Sequence, residues 1–224
     1  MKKFIISLGG SLIVPDEIDT DFLKKFRKII LQQKAQFVII AGGGSTARKY
    51  QRAVKAVSGD KLESQDWIGI SATHLNAFLL KCIFYEHAEK DIIRDPTKKF
   101  KFRKKIALAG GWKPGWSTDY DAVLMAKNIG ADVVINMSNI DFVYDSDPNK
   151  NPDALPLKKI SWHDFRKLVG DKWKPGLNMP FDPIAAKEAE KNKLKAIIIG
   201  KDHDNLEDVL EGRRFRGSTI ANSI

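Results

Sequence analysis

The sequence predicts an α/β fold with a largely parallel sheet. Three observations lead to this prediction: short β-branched runs alternate with amphipathic helical patterns, the runs are apolar nearly throughout, and three of them end in glycines. A strand that is apolar on both faces is typical of a parallel sheet covered by helices on both sides. A chain of 224 residues is long enough for one large domain or two intimate lobes.

Each of three predicted strands in the first half of the chain is followed by glycines. The strands are Phe4–Leu8, Phe37–Ala41 and Ile106–Ala109, and the glycines are Gly9-Gly10, Gly42–Gly44 and Gly110-Gly111. Apolar residues at helical spacing predict one helix beginning at Asp19 or Thr20, one beginning at Ser45 and one over 70–88. Because the carboxyl ends of parallel strands meet at one edge of a sheet, we expect the three glycine loops to lie together.

The second half of the chain continues the same alternation. The predicted helices are Asp119–Asn128, 161–169, 183–192 and Asn205–Glu211, and the predicted strands are Asp132–Met137, Ala196–Ile199 and 218–221. A loop rich in Asp, Asn and Pro at 145–156 is the best candidate for a seam between two lobes of one domain.

Composition and charge restrict the class of protein. Hydrophobic residues make up 43% of the chain, which is typical of a globular protein rather than a disordered one. The net charge of +10 favours anionic partners such as nucleotides, nucleic acid or an acidic membrane surface. The single cysteine, Cys82, excludes an intramolecular disulfide framework, and with only four histidines we expect no structural zinc or other resident metal site. Cys82 lies on a predicted apolar helix face, so we expect it in the core.

The apolar stretch Phe4–Val14 follows Lys2-Lys3, and we interpret its first part, Phe4–Leu8, as a buried strand rather than as part of a signal peptide. No small-residue cleavage site follows it, and it is too short to span a membrane. We therefore expect a cytoplasmic protein with no membrane partner.

The glycine loops favour phosphate binding. Glycine lets backbone N–H groups converge on an anion, and the N-terminus of a following helix adds its partial positive charge. No window of the sequence supplies a P-loop. Gly42-x-Gly44-x-x-Ala47 satisfies a relaxed dinucleotide fingerprint, so a nicotinamide enzyme remains an alternative. It is less favoured because the first turns of the following helix carry Arg48 and Lys49.

Six segments in chain order resemble those of the amino acid kinase superfamily and, within it, the archaeal-like uridylate kinases. They are Ser7–Ser11, Gly42–Arg48, Asp66–Ile70, Gly111–Asp119, Ser138–Pro148 and Phe181–Ala186. The resemblance implies a three-layer α/β/α sandwich, transfer of a phosphoryl group from ATP to UMP, Mg²⁺ bound with ATP, and a homohexamer built from dimers. It also implies that an N-terminal lobe, about 1–130, binds UMP and a C-terminal lobe, about 131–224, binds ATP.

The resemblance also implies roles for individual residues. At the catalytic centre it places Asp119, Arg48 and Gly10. Around ATP it places Ser7, Gly9, Gly10, Ser11, Gly44, Arg48, Ser138, Asn139, Tyr144 and Asp147. Around UMP it places Gly43, Asp66, Gly111, Trp112, Lys113, Pro114, Gly115, Trp116, Ser117 and Thr118.

This chain departs from the pattern of the superfamily at three of these positions. Ser7 stands where many relatives carry a lysine, Phe142 follows Asp141 where glycine is usual, and Ser138 replaces a threonine. A sibling kinase with another small acceptor, and a non-catalytic nucleotide or oxyanion binder on the same fold, therefore remain alternatives.

Two features have simpler interpretations. Asp119 and Thr118 are each also candidates for the N-cap of the following helix. The basic run Lys98–Lys105 alternates with Phe100 and Phe102, as in a track for single-stranded nucleic acid or in an extended segment with phenylalanine facing the core. We favour the extended segment because no RNA-binding motif accompanies the run, and we expect no nucleic-acid partner.

Overall fold

A computed structural model describes residues 1–148, 150–170 and 179–223. Its strands are β1 Lys2–Leu8, β2 Ala35–Ala41, β3 Ile106–Ala109, β4 Val133–Met137, β5 Val143–Tyr144, β6 Pro156–Leu157, β7 Lys159–Ser161, β8 Lys195–Ile199 and β9 Ser218–Ala221. Its helices are α1 Gly10–Ile13, α2 Thr20–Gln32, α3 Gly44–Ser58, α4 Leu62–Ile83, α5 Thr118–Ile129, α6 Trp162–Val169, α7 Pro183–Lys191 and α8 His203–Glu211. Asn149 and 171–178 of the predicted C-terminal lobe, together with residue 224, lie outside the described residues.

The main sheet has the strand order β3-β2-β1-β4-β8-β9-β7. All of its neighbouring strands are parallel except β8 and β9, which confirms the largely parallel sheet. In this register Leu8 lies beside Ala41 and Met137, and Met137 lies beside Ile199. Four parallel strands therefore end level with one another, and the loops that follow them share one edge.

Helices cover both faces of the sheet, as the three-layer prediction requires. Successive residues of β1 belong to different cores: Ile6 packs with Phe26 of α2, whereas Ile5 packs with Val123 of α5. The first core also takes side chains from α4 and α8, and the second from α6 and α7. Burial of alternate faces explains why the strands are apolar throughout.

Polar side chains begin several of the helices. Asp19 accepts the backbone N–H of Phe22 and caps α2, as predicted. Asp182 accepts the N–H groups of Ile184 and Ala185 and caps α7. The cap of α5 is Ser117, which rules out the alternative interpretation of Thr118 or Asp119 as the N-cap of this helix. The carboxylate of Asp119 therefore remains available for tertiary contacts.

The prediction for α4 was wrong in its bounds. This helix begins at Leu62 and ends at Ile83, not at 70 and 88, so the whole segment Asp66–Ile70 is helical. Cys82 is exposed, which corrects its assignment to the core. The error arose because α4 is apolar on more than one face, and only one of those faces packs against the sheet.

The basic run adopts no strand. Phe100 and Phe102 are half-buried, pack against the second core and meet edge to face with ring centroids 5.0 Å apart. Lys101 between them is exposed, as are Lys98 and Lys99 before them. This arrangement agrees with the interpretation that phenylalanine faces the core. Among the described residues, no helix combines the length and apolar character needed to cross a membrane.

Candidate active site

Two glycine loops meet backbone to backbone at the edge of the sheet. A side chain at Gly10 would collide with the backbone of Gly42, Gly43 and Gly44, and Gly44 has a φ of +63°. Glycine is required at Gly10 for this close approach and at Gly44 for the left-handed conformation. The loop after β1 is therefore held directly against the loop after β2.

The second glycine loop leads into a helix N-terminus that no side chain caps. Asn76 of α4 orients the loop from behind, since its side-chain amide donates to the carbonyls of Gly42 at 2.7 Å and Gly43 at 3.2 Å. An uncapped N-terminus reached through glycines is suited to bind an anionic group such as phosphate.

Asp119 lies where four elements of the fold meet. Its Oδ1 accepts hydrogen bonds from the Ser7 hydroxyl of β1 at 2.9 Å and the Asn136 amide of β4 at 2.8 Å. Its Oδ2 accepts the backbone N–H of Asp182 at 3.3 Å, just before α7. A carboxylate on α5 is thus fixed by two strands and a second helix.

Burial raises the pKa of the Asp119 carboxyl to about 7, and the nearby Asp182 carboxylate reinforces the rise. The hydrogen bond from Ser7 opposes it by stabilising the ionised form. Burial also raises the pKa of Asp121 to about 7. The backbone N–H of Trp112 donates to Oδ2 of Asp121 at 3.0 Å, and this hydrogen bond opposes the rise. A cation or cation-bound ligand arriving here would lower the pKa of Asp119 and favour its ionisation.

A cavity of about 190 Å³ lies between α3, α4 and the loop that precedes α5. It is lined by seven of the residues predicted around UMP: Gly43, Asp66, Gly111, Lys113, Pro114, Trp116 and Thr118. Five further residues line it: Ala47, Gly69 and Ile70 belong to the segments Gly42–Arg48 and Asp66–Ile70 that carry the resemblance, whereas Gln51 and Thr73 were missed by sequence reasoning. Trp112, Gly115 and Ser117 do not line this cavity, which we name the acceptor cavity.

The loop over the acceptor cavity is held down at both ends. The N–H of Gly115 donates to Asp66 Oδ2 at 2.9 Å, and the N–H of Gly111 donates to the Thr73 hydroxyl at 2.7 Å. Lys113 Nζ lies 4.0 Å from the ring centroid of Trp112. This cavity is smaller than the about 300–1,000 Å³ that ligand pockets usually enclose.

A second cavity of about 360 Å³ follows strand β4. Its lining consists of Ile140, Phe142, Tyr144, Asp145, Ser146, Asp147, Pro148, Lys150, Leu168, Val169, Met179 and Pro180. Tyr144 and Asp147, which were predicted around ATP, are among these residues, and Ser138 and Asn139 are not. The Ser138 hydroxyl instead accepts the N–H of Ile140 at 3.2 Å. We name this space the donor cavity.

The other predicted residues occupy different parts of the edge. Gly9 donates its N–H to the Met137 carbonyl at 2.8 Å and ties the first loop to β4. Ser11 lies in α1. Arg48 is exposed, lines neither cavity, and donates from its guanidinium to the Pro15 carbonyl at 3.3 Å. Its predicted contact with phosphate stays a prediction.

The described residues contain no cluster of three His, Cys, Asp or Glu side chains that could hold a metal ion on its own. Mg²⁺ that arrives with a nucleotide is held mainly by phosphate oxygens and water, with one or two protein carboxylates. Asp119 offers one such carboxylate beside the glycine loops. The residues present therefore fit a nucleotide-borne ion.

Glycine loops at the carboxyl edge, an uncapped helix N-terminus and two flanking cavities are features of an α/β enzyme that handles phosphate groups. The family model described as "Amino acid kinase family" matches residues 2–200, and the chain belongs to that family.

Relatives and solved structures cover almost the whole chain. It is 35% identical over 217 residues to a uridylate kinase of Thermococcus kodakarensis, covering 94% of this chain and 96% of the relative. It is 34% identical over 224 residues to a uridylate kinase of Pyrococcus abyssi, covering 97% and 99%. The crystal structure of uridylate kinase from Archaeoglobus fulgidus matches with a TM-score of 0.85 and 32% identity, over 99% of this chain and 100% of that one.

Proposed function

We propose that this chain is a UMP kinase, which transfers the γ-phosphoryl group of ATP to UMP and yields ADP and UDP. The observation that carries the proposal is the position of Asp119 between the two cavities. Asp119 directly follows Thr118, which lines the acceptor cavity, and accepts the N–H of Asp182, two residues after Pro180 of the donor cavity. Relatives of similar length that are named uridylate kinases support the choice of acceptor.

The cavities divide the substrates between the two predicted lobes. The acceptor cavity is built from residues between 43 and 118 and receives UMP. The donor cavity is built from residues within 140–148, from Lys150, and from 168–169 and 179–180, and it receives the adenosine part of ATP. The phosphates then meet at the glycine loops between them. The lobes proposed here, about 1–130 and 131–224, each supply one substrate site.

The transfer needs no activated nucleophile. A phosphate oxygen of UMP attacks the γ-phosphorus, the bond from that phosphorus to the bridging oxygen of ADP breaks, and six negative charges are present before and after. Catalysis consists mainly of positioning and charge stabilisation. Backbone N–H groups of the glycine loops and of the α3 N-terminus supply fixed dipoles, apart from those of Gly9, Gly42 and Ser45, which donate to the carbonyls of Met137, Leu8 and Val14. Mg²⁺, when bound with ATP, neutralises charge on the phosphates.

Ser7 and Asn136 hold Asp119 in place for this step. Both are neutral donors, so they orient the carboxylate without cancelling its charge. Asp119 is then free to direct a cationic group, or the ion carried by ATP, toward the transferred phosphoryl group. The segment 112–116 closes over the acceptor cavity and excludes water, which would otherwise accept the phosphoryl group.

We further propose that the protein is a cytoplasmic homo-oligomer, and a hexamer by resemblance to the superfamily. Helix α4 supports this because it exposes Leu75, Phe78 and Cys82 at spacings of three and four residues, and the exposed Tyr85 follows in the turn just after the helix. Leu75 is 60% exposed and Tyr85 is 78% exposed. Such a row is typical of a helix that packs along a second helix.

The test is an ADP-release assay with ATP and Mg²⁺ against UMP, CMP, dUMP, AMP and no acceptor. The proposal predicts turnover that depends on acceptor and is selective for UMP. Selective turnover of another acceptor would indicate a sibling kinase. Absence of turnover together with thermal stabilisation by ATP or UMP would indicate the nucleotide-binding alternative, which the neutral Ser7 beside Asp119 favours.

A further inference from the structure

Phe142 separates two cavities of the C-terminal lobe. One is the donor cavity. The other has a volume of about 710 Å³ and a strongly charged wall that includes Lys158, Asp204, Arg214 and Arg216. Phe142 lines both cavities, and we name the second one the rear cavity.

The ring of Phe142 is held on both sides. On the donor side it meets the ring of Tyr144 edge to face, with centroids 6.3 Å apart and an interplanar angle of 76°. On the rear side the guanidinium carbon of Arg216 lies 5.8 Å from the ring centroid. Arg216 is itself anchored, since its Nη2 donates to Asp141 Oδ2 at 2.7 Å. Aromatic and cation–π contacts of this kind favour one ring position.

The backbone around Phe142 is also fixed. The N–H of Val143 donates to the buried Ser218 hydroxyl at 2.9 Å. The side chain of Asn205, also buried, accepts the N–H of Arg216 at 2.7 Å and donates to its carbonyl at 2.6 Å. The residues before and after Phe142 are therefore both tied to β9 or to the segment leading into it, and the ring has little freedom to move aside.

We infer that Phe142 is a specificity-determining residue that limits the size of the base in the donor cavity. The inference rests on the proposed function, because it takes the donor cavity as the adenine site. Removing the ring opens the donor cavity toward the rear cavity, since Phe142 lines both. A close-packed aromatic wall rejects ligands that are larger by a few carbon atoms, and a shortened side chain accepts them.

The experiment compares ATP with ATP analogues that carry a bulky group on the adenine, such as N6-benzyl-ATP and a C8-substituted ATP. Phe142→Ala is measured beside the wild type with UMP as acceptor. We expect the ratio of kcat/KM for at least one analogue to kcat/KM for ATP to rise by about tenfold or more in the variant. We also expect the KM for ATP to rise several-fold, because the base loses an aromatic contact.

Two control variants distinguish loss of the Phe142 ring from a general destabilisation of the C-terminal lobe. Phe142→Tyr keeps the ring and is expected to keep excluding the analogues. Arg214→Ala alters only the rear cavity and is expected to leave the selectivity unchanged. Phe142→Leu serves as a milder variant with the same expected direction if Phe142→Ala fails to fold, as judged by its thermal melt.

The inference is overturned if the wild type uses every analogue as well as ATP does, or if the shortened variants use ATP but gain no analogue. Failure of the proposed function is a different result, in which no protein transfers phosphate to UMP. In that case thermal stabilisation by ATP and by each analogue is compared. If an analogue raises the melting temperature of Phe142→Ala but not that of the wild type, the result supports Phe142 as the residue that limits base size. Equal stabilisation of the two proteins by the analogues refutes it.

Discussion

The hydroxyl of Ser7 donates a hydrogen bond of 2.9 Å to Oδ1 of Asp119, which links strand β1 to helix α5. Many members of the superfamily carry a lysine at the position of Ser7, and its ammonium would form an ion pair with this carboxylate. The neutral hydroxyl instead leaves the pKa of Asp119 raised to about 7. Asp119 therefore changes its charge close to neutral pH in this protein.

The pH dependence of turnover tests this relationship. If ionised Asp119 is required, kcat/KM, which reports the pKa of the ligand-free enzyme, falls about tenfold for each pH unit below that pKa. Ser7→Ala removes a hydrogen bond that stabilises the ionised form, so the acid limb of the profile shifts to higher pH. Ser58→Ala, an exposed serine at the end of α3, is the control and keeps the wild-type profile. An acid limb that is unchanged in Ser7→Ala would contradict the role of this bond.

The stability of the fold should also depend on pH through Asp121. Its pKa is raised to about 7 in the folded protein from an ordinary value of 3.8, so the folded state binds more protons between these values. The free energy of unfolding therefore falls as pH rises from about 4 to about 7. Asp121→Asn should lessen this fall, measured by urea unfolding at pH 5 and pH 7.5. Asp153→Asn, which changes an exposed carboxylate, should leave the fall as in the wild type. Equal pH slopes of the free energy of unfolding in all three proteins would refute the attribution of the slope to Asp121.

The contact between Asp66 and Gly115 predicts a specific kinetic effect. Asp66→Ala removes the acceptor of the Gly115 N–H, so the loop over the acceptor cavity loses one of its two anchors. We expect the KM for UMP to rise about tenfold, since a hydrogen bond to a charged group is worth about 1.5–3 kcal/mol, with a smaller change in kcat. Glu63→Ala, exposed on the same helix, is the control. A KM for UMP that stays at the wild-type value would show that the anchor is dispensable.

The exposed row on α4 predicts the oligomeric state. A double variant, Leu75→Asp with Phe78→Asp, puts charge into the proposed interface and should lower the mass measured by light scattering. Leu155→Asp changes a comparably exposed apolar residue, 64% exposed, on another surface and should leave the mass unchanged. A wild type that is already monomeric would refute the interface, as would a double variant with the wild-type mass.

Much of the fold could be predicted from the sequence because local patterns determine it. The parallel strands are apolar on both faces, and glycines mark the ends of β1, β2 and β3. Helix α4 could not be bounded, because polar residues make up 63–66 near its start and its apolar residues occupy several faces. The short strands β5, β6 and β7 were also missed, since two or three residues carry no usable periodicity.

The candidate site could be predicted where its residues lie in segments that carry a recognisable pattern, such as Gly42–Arg48, Asp66–Ile70 and Gly111–Asp119. The 111–118 segment supplies several walls of the acceptor cavity by itself. Thr73 and Gln51 were missed because they reach the cavity from α4 and α3, with no glycine or charge pattern to mark them. The bond from Asn136 to Asp119 joins residues on different elements, and only the tertiary structure places them 2.8 Å apart.

The most direct test of the account is the kcat of Asp119→Asn for ADP release from ATP and UMP, measured beside Asp132→Asn. Asp132 is an exposed carboxylate shortly after the same helix, so its variant controls for the loss of a negative charge. We expect Asp119→Asn to lower kcat by about a hundredfold or more with an intact thermal melt, and Asp132→Asn to keep the wild-type rate. Turnover by Asp119→Asn at the wild-type rate would contradict the placement of the reaction at this residue.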